Sequence, residues 1–508
     1  MKRILFIIAF LIFAKFGFSQ TNVSGSYFTN TTWNISGSPY NVVGDVQIPS
    51  GVTLAIEPDV QINFTGDYEI LIKGIIIANG TNLTSINFVG NTAGKAMIMF
   101  KSTNLSNSQL SDVKFTGPKN AFQLADETGY NQDPIKNSGV LIVKNVALTN
   151  TKVQTKGYQT SASLVIDSAT ISNTVIKGVY PRSETIDVKN SDITNCTITS
   201  DSYNYGITLN NCLVTTSNFT IGCCGANFTI IKSTVQNSNF SDYNDSYGIT
   251  VIESQIINSP MNLPRSSYGF NVSSSSISYN GAYAIKCYKL NMTCTTIDGN
   301  GSGTGIELLG GNNIIHNSTI INNNVAVKNN SNNSNFTIDF TNMENNVLYN
   351  IQNLSTANIS ANNNWWGTTD LTAIANEIYD YYDNINYGVV NFSNYLYNNF
   401  DSPSCPDSLT FPISIPENMS STISSVFDFK IYPNPSSDYV NLEFENSNNE
   451  YEDVIVEIVN PMGQILFVGR LNKSTNTQII DVSSYNKGIY FCNLRHGQVF
   501  KVKKMLVQ

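Results

Sequence analysis

Carboxylates, a few basic side chains and a set of tyrosines are the groups from which this sequence could build a site. Asp187 and Asp192 lie close together, and Asp201, Asp242 and Asp245 each precede a Tyr-Gly pair. Hydrolysis of a glycoside needs two carboxylates flanking one bond, about 5 to 9 Å apart. These spacings do not single out such a pair, and acidic side chains in turns otherwise bond nearby backbone N–H groups. Elimination from a uronate needs a proton-abstracting Lys, Arg, His or Tyr beside a cation or an arginine. Lys156, Arg182, Lys189, Arg265, Lys286 and Lys289 are scattered and form no dense basic run. His316 has only His496 as a fellow histidine, so a His-based metal site lacks ligands. Calcium could be held only by dispersed Asp and Asn oxygens, because no Asp-rich loop with a closing Glu is present. No other cofactor is expected.

Tyr205, Tyr247, Tyr268 and Tyr283 open similar segments, the first three as Tyr-Gly followed by an alternating strand. Facing outward with Asp242, Asp245 and Arg265, they would form an aromatic and polar strip suited to stacking on sugar rings. Facing inward they would be core, which alternation with Ile207 and Leu209 equally allows.

The elements that must carry these residues are strands of three to five residues, each followed by Gly, Asn, Asp or Ser. They repeat. Tyr205-Gly206-Ile207-Thr208-Leu209 returns as Tyr247-Gly248-Ile249-Thr250-Val251 after two periods of 21, and as Tyr268-Gly269-Phe270-Asn271-Val272 after one more. Upstream Ile186 and intervening Phe228 fit the same period, and Tyr283-Ala284-Ile285, Thr304-Gly305-Ile306-Glu307-Leu308, Val325-Ala326-Val327 and Val347-Leu348-Tyr349 read as its continuation. A coil of about 21 residues is one turn of a parallel β-helix. Ile207, Leu209, Ile249, Val251, Phe270, Val272, Ile306 and Leu308 would then stack inside, and many of the 71 asparagines would stack at the turns.

Residues 1–20 have Lys2 and Arg3, an apolar run and a small polar end, the layout of a cleavable signal peptide. Without them the formal charge moves from −9 to −12, because Lys2, Arg3 and Lys15 leave and no acid does. Such a surface repels nucleic acid and anionic lipid, and no later segment is apolar enough to span a membrane. Eight cysteines are too sparse for a disulfide-held fold and lack zinc-site spacing; buried thiols with one or two bridges are expected. Residues 21–400 read as the β-helix, 401–425 as a Pro- and Ser-rich linker, and 426–508 as a small antiparallel β-sandwich. Trp365 and Trp366 either cap the last coil or present faces to sugar, with a short helix-like stretch following at 371–382.

Gly51-Val52-Thr53-Leu54-Ala55-Ile56-Glu57-Pro58 resembles the opening coils of bacterial right-handed parallel β-helix surface proteins, and Asn362-Asn363-Asn364-Trp365-Trp366-Gly367 resembles their closing segment. Tyr432-Pro433-Asn434-Pro435, Gly463, Gly488-Ile489-Tyr490 and Lys503-Lys504-Met505-Leu506-Val507 resemble the type A C-terminal sorting domain of the type IX secretion system of Bacteroidota. That resemblance implies export through this machinery, followed by release or attachment at the outer surface. β-Helices host lyases, glycosidases and inert adhesins alike, so the fold does not choose among them. The expected function is glycan-binding, adhesive or surface-structural, and the alternative is a polysaccharide lyase or glycoside hydrolase.

Overall fold

The computed structural model describes residues 20–125, 137–156, 161–179, 185–200, 206–222, 228–243, 248–265, 269–278, 280–331, 335–400, 405, 427–446, 454–459, 465–470, 477–496 and 499–508. The proposed signal segment lies outside them up to residue 19, and so does the 401–425 linker apart from Cys405. The chain divides into two compact units, Met1–Pro412 and Ile413–Gln508.

The first unit is a right-handed parallel β-solenoid. Each coil passes through three short strands, and every strand pairs in parallel with its equivalents in the adjacent coils. Among the described residues the first face has 16 strands, from Thr31–Trp33 through Ile207–Asn210 to Val390–Asn391. Leu213–Thr215 and Thr234–Gln236 belong to the second face, Asn218–Ile221 and Asn239–Asp242 to the third. Alternate residues of each strand point inward. Ile186, Ile207, Phe228 and Ile249 are successive partners in one buried row, and the Thr250–Asn271 pairing places Phe270 next. Burying each such side chain contributes roughly 1.5–3 kcal/mol.

The period identifies the coil but not the face, and here the structure corrects the sequence reading. Phe270 is followed in its row by Leu290, not by a residue of the Tyr283 segment. Tyr283–Cys287 is a third-face strand, continuing Met261–Leu263 and leading to Thr304–Leu308. Ile306 and Leu308 are buried as expected, but in a different wall from Ile207 and Leu209. The last expected copy is also displaced: Val325 pairs with Tyr349, leaving Val347 exposed. Redistribution of residues between two corners of one coil keeps the total near 21 and shifts the face.

Corners explain the asparagines. Asn190 and Asn211, between the first and second faces, and Asn195, Asn237 and Asn258, between the second and third, have φ of 47–54°. Asn tolerates this left-handed backbone better than other residues with a Cβ. Its amide also reaches the next coil: Asn211 Nδ2 bonds Asn190 Oδ1 at 2.8 Å, and Asn258 Nδ2 bonds Asn237 Oδ1 at 2.7 Å. The residue after each corner points inward and is usually Ser, Thr or Cys. The Ser254 hydroxyl accepts from Ser233 N–H at 3.2 Å and donates to Ile252 O at 2.7 Å, and Ser275 repeats the pattern one coil on. These ladders satisfy corner amides that would each cost about 1–3 kcal/mol if buried unpaired.

Trp33 stacks on Tyr40 at one end of the core, with ring centroids 4.9 Å apart. At the other end Trp366 is 1% exposed and meets Phe392 edge-on at 5.9 Å, while Trp365 Nε1 donates to Glu344 Oε2 at 3.1 Å. Gly367, at φ +80°, allows this approach, since a Cβ there would lie 2.9 Å from that of Glu344. Trp366 closes the coil, whereas Trp365 stays partly exposed beside it. The helix-like stretch is a single turn and a half, Leu371–Asn376, followed by the strand Ile378–Tyr379.

Among the described residues of the second unit a three-stranded and a four-stranded antiparallel sheet share one core. Phe429, Val440, Leu442 and Ile480 come from the first sheet, and Val456, Ile458, Tyr490, Cys492, Met505 and Val507 from the second. The strand Thr477–Asp481 was not anticipated from sequence.

Candidate functional site

The two neighbouring carboxylates of one coil, Asp187 and Asp192, are separated by the fold. Asp187 lies on the first face, between buried Ile186 and Val188 and therefore outward, whereas Asp192 lies on the second face beyond the Asn190–Ser191 corner. Burial pushes the Asp192 carboxyl upward, but Asp187 does not share its face. Asp201, Asp245, Arg182, Tyr205, Tyr247 and Tyr268 lie outside the described residues. Lys189 approaches Asp167 at 3.7 Å, and Lys286 approaches Glu307 at 3.0 Å with its ammonium 5.6 Å from the Tyr283 ring centroid. His316 is paired, its Nδ1 2.6 Å from Asp339 Oδ1 on the next coil.

Of the anticipated strip, Asp242 and Arg265 do meet: Arg265 N–H donates to Asp242 Oδ2 at 2.9 Å across adjacent coils. Both lie where the third face gives way to the first face of the following coil. At this corner the connections differ in length, from residues 288–289 in one coil to 380–389 in another. Insertions confined to one side of a solenoid commonly carry binding residues. Tyr243 and Tyr288 are exposed there, and Tyr288 lies where a side chain at Gly310 would stand. Tyr283, however, opens a third-face strand, whereas residues 205, 247 and 268 precede first-face strands, so the four do not form one row.

A second aromatic group was missed in the sequence. Tyr349 and Tyr379, on the third face of the last coils, have centroids 5.5 Å apart, and Tyr387 follows 6.0 Å from Tyr379. All three are partly exposed. Strand pairing positions the first two, with Gln352 opposite Tyr379. The turn carrying Tyr387 is held by Asp380, whose carboxylate accepts Tyr382 N–H at 2.9 Å and Val390 N–H at 2.7 Å. Beside them Glu377 accepts from the Asn350 amide, and burial pushes its carboxyl upward. Val347, Leu348, Tyr382 and Ile385, from the same last coils, are also exposed. The density of tyrosine from 379 to 397 was the available signal, masked by the helix-like reading of 371–382. Phenol faces bordered by amide and carboxyl groups can stack on pyranose C–H faces while bonding their hydroxyls. Among the described residues no three His, Cys, Asp or Glu side chains converge as metal ligands.

In the second unit the opening and closing motifs meet. Asn434 Oδ1 accepts Leu506 N–H at 2.8 Å, Ser436 N–H donates to Leu506 O at 2.9 Å, and Gln508 N–H donates to Ser436 O at 2.8 Å. The Lys503 ammonium bonds the Phe429 carbonyl and lies 5.1 Å from that ring's centroid. Tyr490 is buried with its hydroxyl on Asn486 O at 2.7 Å. Tyr432 is exposed, Pro433 and Pro435 flank Asn434, and Gly488 begins a nine-residue strand. Gly463 and the Lys504 side chain lie outside what is described.

Residues 430–508 match the family model of the secretion system C-terminal sorting domain. No curated protein and no solved structure matches the chain. The protein is thus a β-solenoid exported by the type IX secretion machinery, which its C-terminal domain engages, and it is secreted or attached to the outer cell surface. No described helix is long and apolar enough to cross a membrane.

Proposed function

We propose that the solenoid is a glycan-binding, adhesive cargo whose main contact is the Tyr349, Tyr379 and Tyr387 ladder. The supporting observation is three adjoining, partly exposed rings bordered by Glu377 and Gln352 on rigid strands. The third corner, with Asp242, Arg265 and the tyrosines at 205, 247 and 268, is a second proposed contact.

The full exported chain would be applied to a glycan array and incubated with the polysaccharides it retains. Binding without product is expected, with Tyr379→Ala weakening it about twofold to tenfold, the 0.5–1.5 kcal/mol of one aromatic contact. Release of unsaturated or new reducing ends would replace this reading with the lyase or hydrolase alternative.

A further inference from the structure

The corner joining the first and second faces is occupied in four successive coils by Cys294, Asn317, Phe340 and Asn363, with φ of 49–59°. Backbone bonds stack these corners directly: Cys294 N–H to His316 O, Asn317 N–H to Asp339 O, and Phe340 N–H to Asn363 O. Phenylalanine and cysteine are unusual where backbone is left-handed and asparagine is enriched. Both exceptions have a partner in the chain that leaves the solenoid.

Beyond Val390–Asn391 that chain turns back and crosses the corners in reverse order. Asn363 donates its N–H to Asn394 O, and Leu396 N–H bonds Asn364 O at 2.8 Å. One coil lower, Asn342 Nδ2 donates to Phe400 O at 2.9 Å and Phe400 N–H returns a bond to Asn342 Oδ1 at 2.7 Å. The Phe340 and Phe400 ring centroids are 5.0 Å apart. Next, Cys405 Sγ lies 3.5 Å from Asn317 O. It is disulfide-bonded to Cys294, one coil lower again and 111 residues away in sequence.

A solenoid is held together by nearest-neighbour contacts, so its end coils, with a neighbour on one side only, open first. We infer that residues 391–400 are a strap and the Cys294–Cys405 bond a covalent end-lock, which together make the last coils open as one block. Closing the lock oxidises two thiols to a disulfide, with two electrons and two protons passing by thiol exchange to a disulfide-bearing oxidant. It therefore closes outside the reducing cytoplasm, after the coils have brought the cysteines together.

The test is hydrogen exchange with peptide mass mapping on the full exported chain, before and after reduction in native buffer, and on Cys405→Ser. Reduction is expected to speed exchange in residues 336–391 by about tenfold or more while coils between 40 and 260 are unchanged. Because reduction acts on folded protein, it decides the question even where the variant fails to fold. Free thiols at both positions in the exported protein would overturn the inference. So would exchange that is unaltered in 336–391, or accelerated equally in every coil.

Discussion

At the residue scale, most polar side chains here serve the backbone. Cys212 occupies a slot filled by serine in the coils on either side, Ser191 and Ser233, and accepts no solvent contact of consequence. Burial, with Asp192 and Asp167 adding to it, pushes its thiol up to about 12 from an ordinary value of 9.0. An unfolded chain releases this proton first, so the contribution is intact below about pH 9 and is lost as pH rises toward about 12. Cys212→Ser should therefore match the parent near pH 8 and gain on it by about 3 kcal/mol near pH 11, read from denaturant midpoints. The asparagine stacks were legible from composition and turn chemistry. The serine and cysteine slots were not, because sequence alone does not say which residue after a turn points inward.

At the element scale, corners set the path. Asn258 has φ 47° and bonds Asn237, so it supplies both the backbone angle and a link between coils. Asn258→Gly keeps the angle and loses the link, whereas Asn258→Val loses both. Thermal unfolding should rank the parent above the glycine variant and the glycine variant above valine, with valine about 1–2 kcal/mol below glycine. The displacement of Tyr283 belongs to this scale too. Its Tyr-x-Ile pattern resembles Tyr205-Gly206-Ile207, but alternation tells inside from outside and not one face of a triangular coil from another. The tyrosine ladder at Tyr349, Tyr379 and Tyr387 was hidden for a related reason: its rings meet across coils whose lengths depart from 21.

At the scale of the whole molecule, the cargo and its address are separate units of one chain. Ending the chain before Phe427 removes the core shared by the two tail sheets and the Asn434–Leu506 contact. The truncated protein should be made but fail to reach the outer surface, as fractionation with surface immunolabelling would reveal. The sequence by itself determined the coil length, which aliphatic side chains point inward, the asparagine corners and the sorting tail, because these rest on short-range periodicity and local motifs. Only the tertiary structure decided which wall each strand joins, that Asp187 and Asp192 face different ways, and that Phe340 and Cys294 await Phe400 and Cys405. Those outcomes depend on how residues are shared among the three corners of each coil. That allotment changes which side chains become neighbours while leaving the repeat almost untouched.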